Sequence, residues 1–360
     1  MIYPKLFIPG PTPVAEDTLA SMMQPQVGHR TAEFSELWSE VTAGLEKVLG
    51  ATKVYQFSNP ATGCWEAAVR NTVQKRCLNL VNGAFSAKWY TVTEACGLPC
   101  DILEKKWGLA VHPEDVDEAL SSGKYDVVTL VHCETSTGVL SPLEEIAKLI
   151  SDKYPDVFLH VDAVSSMMGV EIKVDDWNLD TCFASLQKAW GLPAGFSVCA
   201  VSQRTLERSE QMKHKGYYLD FMAYEKFYQK EQTPATPSIP HMHGLQKVLQ
   251  DIEKEGLEAR FKRHREMSEI TRDWVHRHGQ ERFAEKGYAS PTLTSVRNLQ
   301  DWDVQKLFED LEGLGYRMDR GYGKLRGETF RVAHMGAVMP DDLKSFLGTF
   351  DHALTDEGEA

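Results

Sequence analysis

Lys188 stands in LQKAWGLPAG (186–195), a single ammonium among Ala, Trp, Leu, Pro and Gly. Burial in such surroundings disfavours the charged form, and a lysine held as the neutral amine can condense with a carbonyl. Read alone, it is a surface residue whose stem covers apolar neighbours. Asp162 ends the apolar run VFLHVD (157–162), where a lone charge is costly and needs a cationic partner. After another run, VYQFS (54–58), comes NPATGCWEAAVRN, in which small residues lead into a helix. The N–H groups and dipole of such a helix start favour an anion, so a phosphate fits Ala61, Thr62 and Gly63. The plainer alternative is a tight turn with Thr62 as the helix cap.

Together the three features mean more than each does alone. A phosphate cradle, an acid and an apolar-set lysine, each at a strand end, are what pyridoxal 5'-phosphate requires of a protein. The cradle would hold its phosphate, the lysine its aldehyde carbon, and the carboxylate would keep its ring nitrogen protonated. Other chemical patterns are weaker. CGLPC (96–100) has one residue too many for a CxxC knuckle, and HMH (241–243) and HRH (276–278) lack the helical spacing of metal ligands, so no metal is expected. GYGKLRG (321–327) imitates a dinucleotide loop but is followed by a strand, so it reads as a hairpin turn leading to Arg331.

The elements that must position these residues alternate in type. Strands are expected at VYQFS, LNLV from Leu78, VVTLVH from Val127, VFLHV from Val157, TCFAS from Thr181 and FSVCAV from Phe196. Helices are expected between them, at FSELWSEVTAGLEKVLG ending in Gly50, at PEDVDEAL and at SPLEEIAKLISDKY. That order implies an α/β fold whose mostly parallel central sheet carries helices on both faces. In such sheets ligands gather beyond the carboxyl ends of the strands, where Asp162 and Lys188 stand. Residues 238–279 read as one long polar helix. After it, LTSVR, YRMD and FRVAHM read as strands, and DVQKLFEDLEGLG and DDLKSFLGTFDHAL as helices of a smaller C-terminal α+β domain. The expected division is an N-terminal arm (1–20), a large domain (21–255) and a small domain (256–360).

At 360 residues the chain is too long for one small core. Its 52 acidic and 39 basic residues give a net charge of −13 without a basic patch, which argues against nucleic acid. It shows no apolar run of bilayer length and no signal-peptide pattern at its start, so a cytoplasmic location is expected. The seven cysteines are an odd number scattered through apolar surroundings, as reduced thiols are.

At this point the chain resembles the class V aminotransferases of the alanine/serine–glyoxylate/pyruvate type, in pyridoxal-phosphate fold type I. The motifs run in family order over nearly the whole chain: PGPTPV (9–14), GHRTAEF (28–34), ATGCWEAA (61–68), NGAFSAKW (82–89), ETSTGVLSPL (134–143), HVDAVSS (160–166), LQKAWGLPAG, TPATPS (233–238) and TFRVAHMG (329–336). The 26-residue spacing from Asp162 to Lys188 is also similar to the family's.

The resemblance implies Lys188 as the Schiff-base lysine and the base that moves the substrate proton, with Asp162 paired to the pyridine nitrogen. It implies Phe85 stacked on one face of the ring and Val164 packed on the other, with Thr135 near the ring hydroxyl. Thr62, the N–H groups of Ala61 and Gly63, and Gln187 would hold the phosphate. Thr236 would reach the cofactor phosphate of a partner subunit in a homodimer, and Arg331 would clamp the substrate carboxylate. Each has a plainer reading: Phe85 and Val164 as core, Thr236 as a turn cap, Arg331 in a surface ion pair. His29 and Arg30 fall near the site mouth without a role. Two departures stand out: Asn59 and Pro60 interrupt the family's glycine-rich phosphate loop, and Thr233 stands where some members place a partner tyrosine.

The implied activity is transfer of an amino group from alanine or serine to glyoxylate or pyruvate in two half-reactions, with aspartate, aminophosphonate and ureidoglycine left open as donors, since beyond Arg331 no matched motif holds a second basic residue for a distal carboxylate. The alternatives are a β-eliminating lyase or cysteine desulfurase on the same fold, which needs a reactive cysteine on a mobile loop, and a non-catalytic homologue.

Overall fold

The structure is a computed structural model that describes residues 3–356. Its large sheet has seven strands: β1 (Val54–Phe57), β2 (Cys77–Val81), β3 (Cys100–Glu104), β4 (Val127–Val131), β5 (Phe158–Asp162), β6 (Thr181–Ser185) and β7 (Ser197–Val201). They lie in the order β1-β7-β6-β5-β4-β2-β3. β7 runs antiparallel to both of its neighbours, and every other pairing is parallel. All the strands except β3 are buried along their length, because helices cover both faces and an apolar run is then the stable pattern. β3 is the strand that the apolar runs do not reveal: CDILE is a half-exposed edge, so its residues need not be apolar.

The helix Ala32–Leu49 ends at Gly50, whose φ of +54° is the left-handed conformation a glycine supplies at a helix end. It packs against the helix Ile239–Glu255. The single long helix expected over 238–279 is instead two, Ile239–Glu255 and Leu257–Arg277, because the chain bends at Gly256 with φ +81°. Glu255 braces the bend through Arg260 Nη1 at 2.9 Å and Arg263 Nε at 2.7 Å.

Beyond the bend, Glu281–Arg282, Leu293–Arg297 and Thr329–Ala333 form a three-stranded antiparallel sheet with Leu293–Arg297 in the centre. Phe330, Trp274, Phe346 and Phe350 fill its core. Phe7 joins them, stacked on Phe346 at 4.2 Å, and Lys5–Leu6 pairs in parallel with Tyr316–Arg317. That pairing takes only the first half of the strand expected at YRMD. Residues 5–7 are thus built into the second core, and residues 10–12 are thereby drawn across the end of the large sheet. Among the described residues, no helix is long and apolar enough to cross a membrane.

Candidate active site

Because β4, β5 and β6 are parallel, their carboxyl ends share one edge of the sheet. A cavity of about 270 Å³ opens there. Its wall brings together Ala61, Thr62, Phe85, Thr135, Asp162, Val164, Gln187 and Lys188. Gly63 lies behind the wall, Arg331 behind Thr135 and Tyr322, and Thr236 outside the cavity.

Asp162 is the last residue of β5 and is buried. Burial pushes its carboxyl up to about 6, against the pull of two hydrogen bonds and of the Lys188 charge. Those bonds come from the Val164 N–H to Oδ1 at 2.8 Å and from Trp65 Nε1 to Oδ2 at 2.6 Å. Lys188 lies in the turn after β6, and burial pulls its ammonium down to about 8, helped by the nearby Arg331 charge. Asp162, Cys133 and Asp319 oppose that shift without cancelling it. Desolvation therefore outweighs attraction on both partners, and each is displaced toward its neutral form.

The PGPTPV segment holds the lysine in place. A Cβ on Gly10 would lie 2.7 Å from Lys188 Cδ and 2.8 Å from Cε, and the φ of +127° at Gly10 also suits only glycine. Thr12 Oγ1 donates to the Lys188 carbonyl at 2.9 Å, and the Thr12 N–H to the Gln187 carbonyl at 3.0 Å. From the other side, Arg260 Nη2 donates to the Ala189 carbonyl at 2.7 Å.

The anion cradle differs in detail from the sequence expectation. The Ala61 N–H donates to Ser185 Oγ at 2.6 Å and the Gly63 N–H to the Pro60 carbonyl at 2.9 Å, so both expected donors are engaged internally. Thr62 opens the helix Thr62–Thr72 rather than capping it, since Ala61 occupies the cap. Among the described residues, neither its N–H nor its hydroxyl has an internal partner. Gln187 Oε1 is likewise buried without a hydrogen-bond partner. Gly63 is required for a different reason than anion binding, because its Cβ would lie 2.6 Å from Asn59 Nδ2.

Phe85 is aimed by Glu134. This buried carboxylate accepts from the N–H groups of Phe85 and Ser86 and from the hydroxyls of Ser86 and Ser136, fixing the start of the helix Ala84–Ala95. Gly83 makes the approach possible, for a Cβ there would be 2.3 Å from Glu134 Cγ. The Phe85 ring lies 5.9 Å from Lys188 Nζ and stacks on Tyr322 at 4.9 Å. The GYGKLRG turn is thus part of the site, with Tyr322 in the cavity wall, a position that motif reading passed over.

Thr135 shares a hydrogen bond with Ser165 Oγ at 2.5 Å. Arg331 is not in a surface pair: it is buried, with the half-buried Asp319 accepting from Nε at 2.6 Å and from Nη2 at 2.8 Å, and Nη1 donates to the Thr135 carbonyl at 3.0 Å. Thr236 is exposed, 3.4 Å from His29 Nε2. Arg30 Nη1 donates to the Thr233 carbonyl at 2.7 Å, and its guanidinium lies 4.7 Å from the Phe227 ring centre. His29 and Arg30 therefore tie down the 233–236 loop. Trp65, Ser185, Glu134, Thr12 and Asp319 had no role in the sequence reading. Trp65, Glu134 and Thr12 lie inside motifs, but their polar partners are remote in sequence.

The family model described as Aminotransferase class-V matches residues 18–314. The chain is 33% identical to an uncharacterized aminotransferase of Methanocaldococcus jannaschii, over 98% of this chain and 93% of that one. It is 31% identical to the serine–glyoxylate aminotransferase of Methylorubrum extorquens, over 98% and 91%. Among solved structures, the alanine–glyoxylate aminotransferase of a Nostoc species superposes with a TM-score of 0.93 at 27% identity, over 98% and 96% of the two chains.

Proposed function

The chain belongs to the class V aminotransferase family, and we propose on that footing that it is a pyridoxal-phosphate enzyme moving an amino group from a small amino acid, alanine or serine, to a small 2-oxo acid, glyoxylate or pyruvate. The observation that carries the reading is the meeting of Lys188 and Asp162 in the wall of one cavity that Phe85 and Val164 also line.

The residues present fit the cofactor. Among the described residues the Thr62 N–H and hydroxyl and the Gln187 side-chain NH2 are donors without an internal partner, Asp162 is a buried acid short of a full cation, and Phe85 and Val164 form apolar walls. Thr62, Gln187 and the Ser185 hydroxyl would hold the phosphate, Asp162 the ring nitrogen, Phe85 and Val164 the two faces of the ring, and Thr135 the region of its hydroxyl. Bound there, the group supplies an aldehyde carbon and a ring that withdraws electrons. The Lys188 amine would take the proton from the substrate α-carbon and deliver it to the carbon that carried the aldehyde, on the other side of the nitrogen, which a base near neutrality does well. Asp162 would hold the proton on the ring nitrogen, its carboxylate kept oriented by Trp65 Nε1 and the Val164 N–H. Phe85 and Tyr322 stand in the cavity wall as a stacked pair, and Arg331 would fix the substrate carboxylate. Thr236, exposed and outside its own cavity, would contact the cofactor of a partner subunit, so the working unit is a homodimer.

Trp65→Phe removes one charge-assisted hydrogen bond from Asp162 and keeps the ring that stacks on Trp89. Such a bond contributes about 1.5–3 kcal/mol, so kcat is expected to fall by about tenfold or somewhat more, with the fold retained by circular dichroism.

A desulfurase reading finds no support in the cavity. Its only cysteine, among the described residues, is Cys133, whose thiol burial pushes up to about 12. The test is a panel of donors and acceptors with the purified holoenzyme. Oxo-acid formation from alanine or serine that depends on glyoxylate or pyruvate is expected. Sulfide release from cysteine exceeding all amino transfer would replace this reading with the lyase one.

A further inference from the structure

The arginine next to the cavity already holds a carboxylate, and it belongs to the protein. Arg331 lies on the strand Thr329–Ala333 with its side chain 4% exposed. Asp319 takes its Nε and Nη2 edge with both oxygens, and the Thr135 carbonyl takes one hydrogen of Nη1. Asp319 is itself fixed. Its Oδ1 accepts the Gly321 N–H at 2.9 Å, and its carbonyl accepts the Arg331 N–H at 2.9 Å. A guanidinium has five N–H donors, so three commitments leave two, one on each terminal nitrogen, the number that one carboxylate accepts.

The charge balance limits what else can bind. Arg331 and Asp319 sum to zero, so an incoming α-carboxylate finds directed donors but no surplus positive charge. A second carboxylate on the same substrate would meet Asp319, a like charge, close to where the first is held. The remaining cations in the wall do not offset this. Lys188 is committed to the reaction, and Lys88 is exposed to solvent. Tyr322 lies 5.3 Å from Arg331 Cζ and stacks on Phe85, so its ring stands beside the pair at the cavity wall.

We propose that Asp319 is a specificity-determining residue: by clasping and neutralising Arg331 it makes the site accept monocarboxylic amino donors and reject those that carry a second carboxylate. This rests on the aminotransferase reading above and narrows its donor class.

The experiment measures binding of propionate and succinate, analogues of alanine and aspartate without the amine, to the holoenzyme by calorimetry, alongside kcat/KM for alanine and aspartate. The wild type is expected to favour propionate over succinate and alanine over aspartate, each by about tenfold or more. Asp319→Asn is expected to shift both ratios toward the dicarboxylate by about tenfold, and Asp319→Glu, which keeps the charge, to leave them within about threefold. Should the Asn side chain disturb the pairing of residues 319 and 331, Asp319→Ser removes the charge with less bulk and is expected to give the same shift. A wild type that binds succinate as well as propionate overturns the proposal. So does an equal fall for both ligands in the Asn and Ser variants, which marks a purely structural role. If the wild type transfers no amino group from any donor, the functional reading fails, while the binding ratios still decide the role of Asp319.

Discussion

Lys188→Met is expected to lower kcat by at least about 10³-fold while making the unliganded protein more stable at neutral pH. The activity loss follows from removing both the anchoring nucleophile and the proton-transfer base, each of which contributes factors of about 10² to 10⁴. The stability gain follows from the direction of the pKa shift. In the folded protein the ammonium is pulled from 10.5 to about 8. A group whose folded pKa is depressed contributes its stability above the unfolded value and loses it as pH falls through the folded value, so below pH 8 the wild type carries the full cost of a buried cation. By linkage that cost is about 3 kcal/mol, and methionine keeps the stem that packs on Gly10 while removing the charge. The difference in unfolding free energy is expected to shrink as pH rises from about 8 to 10.5. Denaturant titrations at several pH values check it, and a pH-independent difference would refute the buried-charge account. In the wild-type holoprotein, borohydride reduction is expected to leave the cofactor's mass on the peptide that contains Lys188.

Asp162→Asn is the second large effect. The amide cannot hold a proton on the ring nitrogen as an anion does, and losing that electrostatic stabilisation is expected to reduce kcat by about 10²- to 10³-fold. Its effect on stability is best read as a slope. The carboxyl is raised from 3.8 to about 6, so its contribution to stability is present below about pH 4 and lost as pH rises through 6. The amide has no such dependence, although it leaves one of the two donors, Val164 N–H or Trp65 Nε1, without its acceptor at a constant cost of about 1–3 kcal/mol. Relative to wild type, the unliganded variant should therefore gain about 3 kcal/mol between pH 4 and 6 and stay level above. A flat difference across that window would show that Asp162 is not desolvated as described.

The two shifts have a common meaning for the cofactor. Between about pH 6 and 8 the unliganded protein carries a buried anion and a buried cation, neither well compensated by the other. A ligand that ties up the amine and gives the carboxylate a cationic N–H relieves both costs, so the binding site is unfavourable to leave without its ligand.

What the amino-acid sequence determined by itself is the part written in local pattern. Continuous apolar runs meant buried strands because helices cover both faces of the sheet, and β3 escaped because an edge needs no such run. Lys188 and Asp162 were legible because Asp162 ends one strand, Lys188 follows the next, and parallel strands deliver their ends to one edge. The bend that breaks the long polar helix depends on a single left-handed residue, Gly256, within an otherwise helical pattern. The aiming of the site was decided by the tertiary structure alone. Trp65 reaches Asp162 across 97 residues, Glu134 aims Phe85 across 49, and Arg331 draws its Thr135 contact across 196. Such hydrogen bonds have no period and no preferred spacing, since they exist only where folding brings remote segments to the same dry edge. Asp319 shows this most sharply: twelve residues from Arg331 it reads as one surface acid among many, and only the antiparallel pairing of those two residues turns it into the carboxylate that the arginine holds.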